Sequence, residues 1–285
     1  MLLAGAVLLA LTACGATHGS STKPLSGPRR TLRIAYPEGV YAYGYHATVS
    51  GMQQQANGQK APLNVDLSAQ GRWQAGAQTS HGQTIAASFS NMKSKQGPAQ
   101  SQTATTFTFT LAPNGVVTFQ SGSLPAPGTP TSIPSAPPFI ALLPSHPVRP
   151  SATWTTHVVV PNQFGSGSLD YVAHSAFQQI TSFGGASAAE VRTTATIPVD
   201  LTVNLAQAAQ VTGKPSTLGA IPQAKYQGRE TVTTTTLLGV SNHRIDRTDS
   251  VAQVDLTETP MGNGASGQRP ASFSGREETT FNSLE

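Results

Sequence analysis

Seven histidines, His18, His46, His81, His146, His157, His174 and His243, are the side chains best suited to bind a metal or carry a proton at neutral pH. No two of them stand at metal-ligand spacing, and no HExxH pair occurs. Serine is abundant, but no G-x-S-x-G elbow stands between a strand and a helix; Gly165–Ser168 and Gly264–Gly267 miss the spacing and read as loops. Asp170 and His174 share a strand face four residues apart, which reads as a polar, solvent-facing side. The 13 acids are scattered. Asp246 and Asp249 flank Arg247, a surface-pairing arrangement, and Glu277-Glu278 falls near the carboxyl end and reads as solvated. Nothing here calls for a catalytic group, a metal or a cofactor.

Two other features carry chemistry. Tyr41, Tyr43 and Tyr45 alternate along one strand face. Three rings there line an apolar ligand groove with their hydroxyls at its rim, or else form core beneath a sheet. The second feature is Cys14, the single cysteine, which leaves no partner for an internal disulfide. It follows an apolar or small run, residues 1–13, too short for a bilayer span of about 20 residues but of signal-peptide length.

That run ends in Leu11-Thr12-Ala13-Cys14, which resembles the lipobox of bacterial prolipoproteins. The resemblance implies cleavage before Cys14, a signal peptide over 1–13, and diacylglyceryl and acyl (palmitate-type) chains on Cys14. Several chains, at about 0.8 kcal/mol per buried methylene, hold a protein on a membrane where one does not. The implied location is the extracytoplasmic face of the bacterial cell membrane. Met1 is followed directly by Leu2 and Leu3 without a positive n-region, which points to a start upstream of Met1.

The remaining elements are mostly strands. Charged residues make up only 11% of the chain, serine and threonine number 63, and the net charge is +4. This argues against a coiled coil, a multi-span membrane protein and a strong phosphate binder, so no nucleic-acid partner is expected. Residues 14–30 read as a flexible tether, with Lys23, Arg29 and Arg30, and Arg33 just beyond, as cations. A β-rich first half spans 31–120: Val40–Val49, Leu63–Ala69 and Phe107–Leu111 alternate with period two, and Asn114-Gly115 turns into Val116–Phe119. Residues 121–150 hold nine of the 21 prolines and form a connector, in which Phe139–Leu143 suggests a helical turn or two. A β-rich second half, 151–259, has strands at Trp154–Val160, Ser168–Phe177, Ala188–Ile197, Val199–Asn204, threonine-rich Gly228–Leu238 and Ile245–Thr259. Between them lie a helical or loop stretch, Leu205–Val211, and a turn, Gly239–Asn242. Residues 260–285 read as a loosely ordered tail.

Pro144–Trp154 resembles a P-x-x-P-V-x-P-G-x-x-W segment of uncharacterised bacterial lipoproteins, with Ser151 where that pattern has glycine. It implies a stiff lead into a strand, with Trp154 as packing anchor. In plan only, the chain is similar to lipid-carrying lipoproteins of the LolA and LppX type, which implies a half-open barrel with an apolar interior. The expected fold is mainly β: an antiparallel, strongly curved sheet or half-open barrel built from two β-rich halves, with one or two short helices. One continuous sheet and two domains both remain open. The expected function is that of a non-enzymatic, membrane-anchored lipoprotein of the cell envelope that binds a lipid or other apolar or amphipathic ligand. The alternative is an envelope structural or protein-interaction lipoprotein without a pocket.

Overall fold

A computed structural model describes residues 27–55, 57–80, 82–95, 105–122, 140–205, 223–262, 265 and 269–284. The signal-peptide run and Cys14 therefore lie outside the described residues, as does Leu205–Val211 beyond its first residue. The described chain forms twelve strands: β1 (Gly39–Gln54), β2 (Lys60–Thr79), β3 (Gly82–Ser94), β4 (Thr105–Leu111), β5 (Val117–Gly122), β6 (Thr153–Pro161), β7 (Gly165–Ser166), β8 (Ser168–Phe183), β9 (Ala186–Asn204), β10 (Gln223–Gly239), β11 (Ile245–Met261) and β12 (Ala271–Ser283). All belong to one antiparallel sheet in the order β5-β4-β3-β2-β1-β12-β11-β10-β9-β8-β6, with β7 paired to β9. The sheet curls into a nearly closed barrel whose seam, between β5 and β6, is left unsealed.

The alternation read in the sequence sets the inward face. Tyr41, Tyr43, Tyr45, Ala47 and Val49 all point inward from β1, as do Leu67, Ala69, Trp73 and Ala75 from β2. Phe107, Phe109 and Leu111 do so from β4, and the Asn114-Gly115 turn joins β4 to β5 as a hairpin. Gly115 takes φ +89, and a side chain there would strike the Ala141 carbonyl, so the turn needs glycine on both counts.

Several expectations change. The two halves form one sheet, and the joint is made by residues assigned to a loose tail. Residues 271–283 are β12, paired over nearly its whole length with β1 on one side and β11 on the other. The sequence hid it because Gly275, Arg276, Glu277 and Glu278 interrupt its apolar pattern. The two stretches at 188–197 and 199–204 are one strand, β9. Pro198 is tolerated because residues 196–201 have no partner on the β8 side, where β8 ends its pairing at Ala195 and β7 begins at Thr202. β3 was not read at all, since Ala86, Ala87 and Ser88 give little hydrophobic contrast.

No helix forms at 140–143. Ile140, Ala141, Leu142 and Leu143 are buried and non-helical, and they enter the barrel. Their backbone is satisfied by the wall, as described below. The segment from Gly27 to Tyr36 crosses the same end. Arg30 pairs with Val148, Ile34 donates to the Pro113 carbonyl, and Ala35 donates to that of His243. Together these two segments cap one end of the barrel. Among the described residues no helix is long and apolar enough to cross a membrane.

Ser151 takes φ +70, the left-handed region that glycine enters freely. Its amide donates to the Phe177 carbonyl at 2.6 Å, which holds it there. Ser151→Gly is expected to leave stability unchanged or raise it by up to about 1 kcal/mol, whereas Ser151→Val lowers it by at least about 1 kcal/mol, measured by urea unfolding. A chain ending at Met261 loses the strand that joins the halves. It is expected to show no cooperative unfolding transition, whereas removal of a loose tail would leave the transition intact.

Candidate functional site

The interior is layered, and the layers follow from register. At the capped end, aromatic rings fill the barrel. Phe281 of β12 stacks on Tyr43 with ring centres 4.1 Å apart and on Trp73 at 4.7 Å; Phe109 meets Trp73 edge-on at 5.3 Å. Tyr36 and Tyr43 share a hydroxyl hydrogen bond of 2.8 Å, and the Tyr36 hydroxyl also accepts from the Ile245 amide at 3.1 Å.

The next layer is a belt of hydroxyls. Ser175, Thr193, Thr234, Ser250 and Thr279 stand opposite one another on five successive strands, β8 to β12, all on the inward face. Ser175 bonds Thr193 at 2.8 Å, and Thr234 bonds Ser250 at 2.8 Å. The belt holds the inserted segment. The Leu142 amide donates to Thr193 Oγ1, and the Ala141 amide donates to Thr236 Oγ1, each at 2.9 Å. Trp154, the expected packing anchor, donates its indole N–H to the Leu142 carbonyl at 3.2 Å. The threonine run was expected on a half-exposed strand surface, and its burial alternates: Thr234 and Thr236 face the interior, where Thr236 accepts from the Ala141 amide.

Beyond the belt, three carboxyls face inward among apolar residues. Glu230 of β10 stands opposite Ile197 of β9 and Val254 of β11. Glu277 of β12 stands opposite Ala252 and Val49. Glu258 of β11 stands opposite Tyr226, whose hydroxyl bonds it. Glu230 is only 7% exposed, and its Oε1 has no hydrogen-bond partner. Burial, and then the charge of Glu277, push the Glu230 carboxyl up to about 8. Burial raises Glu277 as well. Burial pushes Glu258 up to about 7, against the Tyr226 hydrogen bond, which lowers it. Glu277 and the inward apolar residues Leu63 and Val65 of β2 are only half-buried, so this layer is the more open one.

The three tyrosines singled out by spacing divide between these layers. Tyr41 is buried at the capped end, its hydroxyl donating to the Pro37 carbonyl at 2.7 Å and the Arg244 guanidinium 5.3 Å above its ring. Tyr43 belongs to the ring stack. Tyr45 reaches the carboxyl layer: burial and then the charge of Glu277 push its hydroxyl up to about 12, while a hydrogen bond with Thr279 lowers it. The sequence reading missed Glu230 and Glu258, and it placed Glu277 in solvent. The missed signal was parity, since Glu230 and Glu258 each keep step with the apolar residues of their own strand.

The exposed groups behave as expected. Asp170 bonds His157 at 2.6 Å, His174 lies 3.4 Å from the Thr155 hydroxyl, and Arg247 makes a two-pronged pair with Asp249 at 2.7 and 2.9 Å, all on the outer surface. Among the described residues no three His, Cys, Asp or Glu side chains converge as metal ligands. At the capped end Arg29, Arg30, Leu32, Leu238, Val240 and His243 surround a surface hollow of about 290 Å³.

No protein-family model matches the chain, and no curated protein matches it. Among solved structures it is similar to DynF from the dynemicin biosynthesis pathway of Micromonospora chersina, with 9% identity over 95% of this chain and 92% of that chain and a TM-score of 0.23. That likeness is too slight to carry a fold or a function.

The buried carboxyls set a pH dependence. The ordinary Glu value is 4.5, and that of folded Glu230 is about 8. Between these values the folded chain keeps a proton that the unfolded chain has lost. Stability is therefore highest below about pH 4.5 with respect to this group, and it falls as pH rises toward 8, by on the order of 5 kcal/mol in all. Urea midpoints measured from pH 5 to 8.5 are expected to fall, and Glu230→Gln is expected to flatten the fall and to be the more stable form at pH 8.5.

Proposed function

We propose that the chain is a lipoprotein anchored through Cys14 to the extracytoplasmic face of a bacterial cell membrane, and that its half-open barrel binds an apolar or amphipathic ligand without transforming it. The observation that supports binding is the unevenness of the interior. One end is filled by stacked rings and an inserted segment. The other keeps inward apolar residues, Leu63 and Val65, only half-buried, and holds a buried carboxyl oxygen without a partner. An interior built only for stability would bury the first and pair the second.

The anchor rests on Leu11–Cys14 and the apolar run before it. The 13 residues from Cys14 to Ser26 reach at most about 45 Å when extended, enough to hold the barrel clear of the headgroups. A second reading, an envelope interaction protein without a ligand, draws on the seam. β6 is an edge strand, and Val159 on it and Val172 beside it on β8 are exposed apolar residues.

Two measurements test these readings. Metabolic labelling with a palmitate analogue is expected to mark the full chain and to fail on Cys14→Ser, which is released from the membrane. Labelling that persists in the variant sinks the anchor. The soluble form, residues 15–285, purified from a host with a complete envelope and extracted with organic solvent, is expected to yield lipid near one per chain by mass spectrometry. A clean absence turns the reading toward the edge-strand surface.

A further inference from the structure

We propose that Glu230 and Glu277 together recognise the protonated amine of an amphiphile whose hydrocarbon chain lies along Leu63 and Val65. The inference rests on the ligand-binding reading above and names the chemical class of the ligand.

The geometry begins with the unpartnered Oε1 of Glu230. A buried polar atom left without a hydrogen bond costs about 1–3 kcal/mol, and more when it carries charge. Uncharged glutamine fits the same space, so the carboxyl is costly as a structural element. Glu277 stands on the other side of β11, one inward row away: Glu230 lies opposite Val254, and Glu277 lies opposite Ala252. Strands are about 4.8 Å apart, so the two backbones are about 10 Å apart, and both side chains face the lumen on either side of β11. The charge of Glu277 bears on Glu230.

Among the described residues no cation answers them. Among the described residues neither carboxyl makes an ion pair. The facing elements supply Ile197 from β9, Val254 and Ala252 from β11, and Val49 from β1. The titratable groups nearby are Tyr171 on β8, which feels Glu230, Tyr45 on β1, which feels Glu277, and the Tyr226–Glu258 pair. All are acids. Among the described residues no third His, Cys, Asp or Glu joins the carboxyl pair, too few donors for a metal ion.

An ammonium group suits the site better. It donates three hydrogen bonds, enough to reach both carboxyls. Phe273, fully buried, packs the floor of this row: its ring lies over Gly51 and Gly275, where a side chain on either glycine would strike it. The half-buried Leu63 and Val65 continue the rows of Glu230 and Glu277 across Gly51 and Val49 of β1, so an alkyl chain attached to the amine has an apolar wall to follow. Charge balance follows: a monocation enters, and the carboxyl pair gives up a proton to the solvent.

The test uses the soluble chain, residues 15–285, stripped of lipid, and titration calorimetry at pH 7.5 with dodecylammonium and with dodecanol, both below their aggregation limits. Dodecylammonium is expected to bind at least tenfold more tightly than dodecanol, with net proton release seen as different heats in buffers of different ionisation enthalpy. In Glu230→Gln/Glu277→Gln the two ligands are expected to bind within about twofold of each other, without proton release. Retained dodecanol binding shows that this variant is folded. Equal binding of both ligands by the unchanged chain overturns the amine site and leaves the apolar-ligand reading standing, and so does an amine preference that survives in the double variant. Binding of neither ligand overturns both.

Discussion

The pairing of β12 with β1 and β11 is the constraint on which the rest depends. Strands β1–β5 and β6–β11 come from separate halves of the chain, and only β12, the last in chain order of the described strands, lies between them. Every cross-barrel contact presupposes that joint. The stack of Phe281 on Tyr43 and Trp73 brings β12 against β1 and β2, and Glu277 meets Glu230 only because β12 lies beside β11. Such long-range closure meets its loop entropy late, so the barrel closes only once β12 is in place.

Closure creates a second requirement, that the lumen be filled. Side chains do this at the capped end. Toward the middle a piece of backbone, residues 140–143, does it, and backbone brings amides that need acceptors. The hydroxyl belt is the consequence. Threonine is as compatible with a strand as valine, but it offers an oxygen to the Ala141 and Leu142 amides. The 63 serines and threonines of a weakly charged chain therefore reflect, in part, an interior that has to accept hydrogen bonds.

What was legible in the sequence was whatever repeats with period two and strong contrast. β1, β4, β5, β6 and β11 announce themselves, and the tyrosines of β1 share the face their spacing predicts. Where contrast fails, reading fails: β3 is masked by alanine and serine, and β12 by glycine and adjacent charges. The helical turns expected at 139–143 were a reasonable inference from an apolar run among prolines, but such a run inserted in a barrel is held by the wall and needs no internal hydrogen bonds. The carboxyl layer was hidden for another reason. Composition assigns glutamate to solvent, whereas strand parity assigns Glu230 and Glu258 to the interior, and parity prevailed because slipping either strand by one residue would expose a whole row of apolar side chains.

That ranking explains how the carboxyls come to be buried; it does not explain why they are glutamates. A register fixed by Tyr226, Val232 and Leu238 on β10 and by Ala252, Val254 and Leu256 on β11 would accept glutamine at 230 and 258 without moving a strand. Glu258 has a local reason, since Tyr226 donates to it. Glu230 has none: its Oε1 is without a partner, and the charge that bears on it, that of Glu277, is of its own sign. The Trp73 indole N–H is also buried without a partner, but it is neutral and sits in the ring stack; a carboxyl left without one is a place where a fold gives up stability for something other than folding. Here that place opens toward the half-buried side of the lumen, and the group it lacks is a hydrogen-bond donor with positive charge.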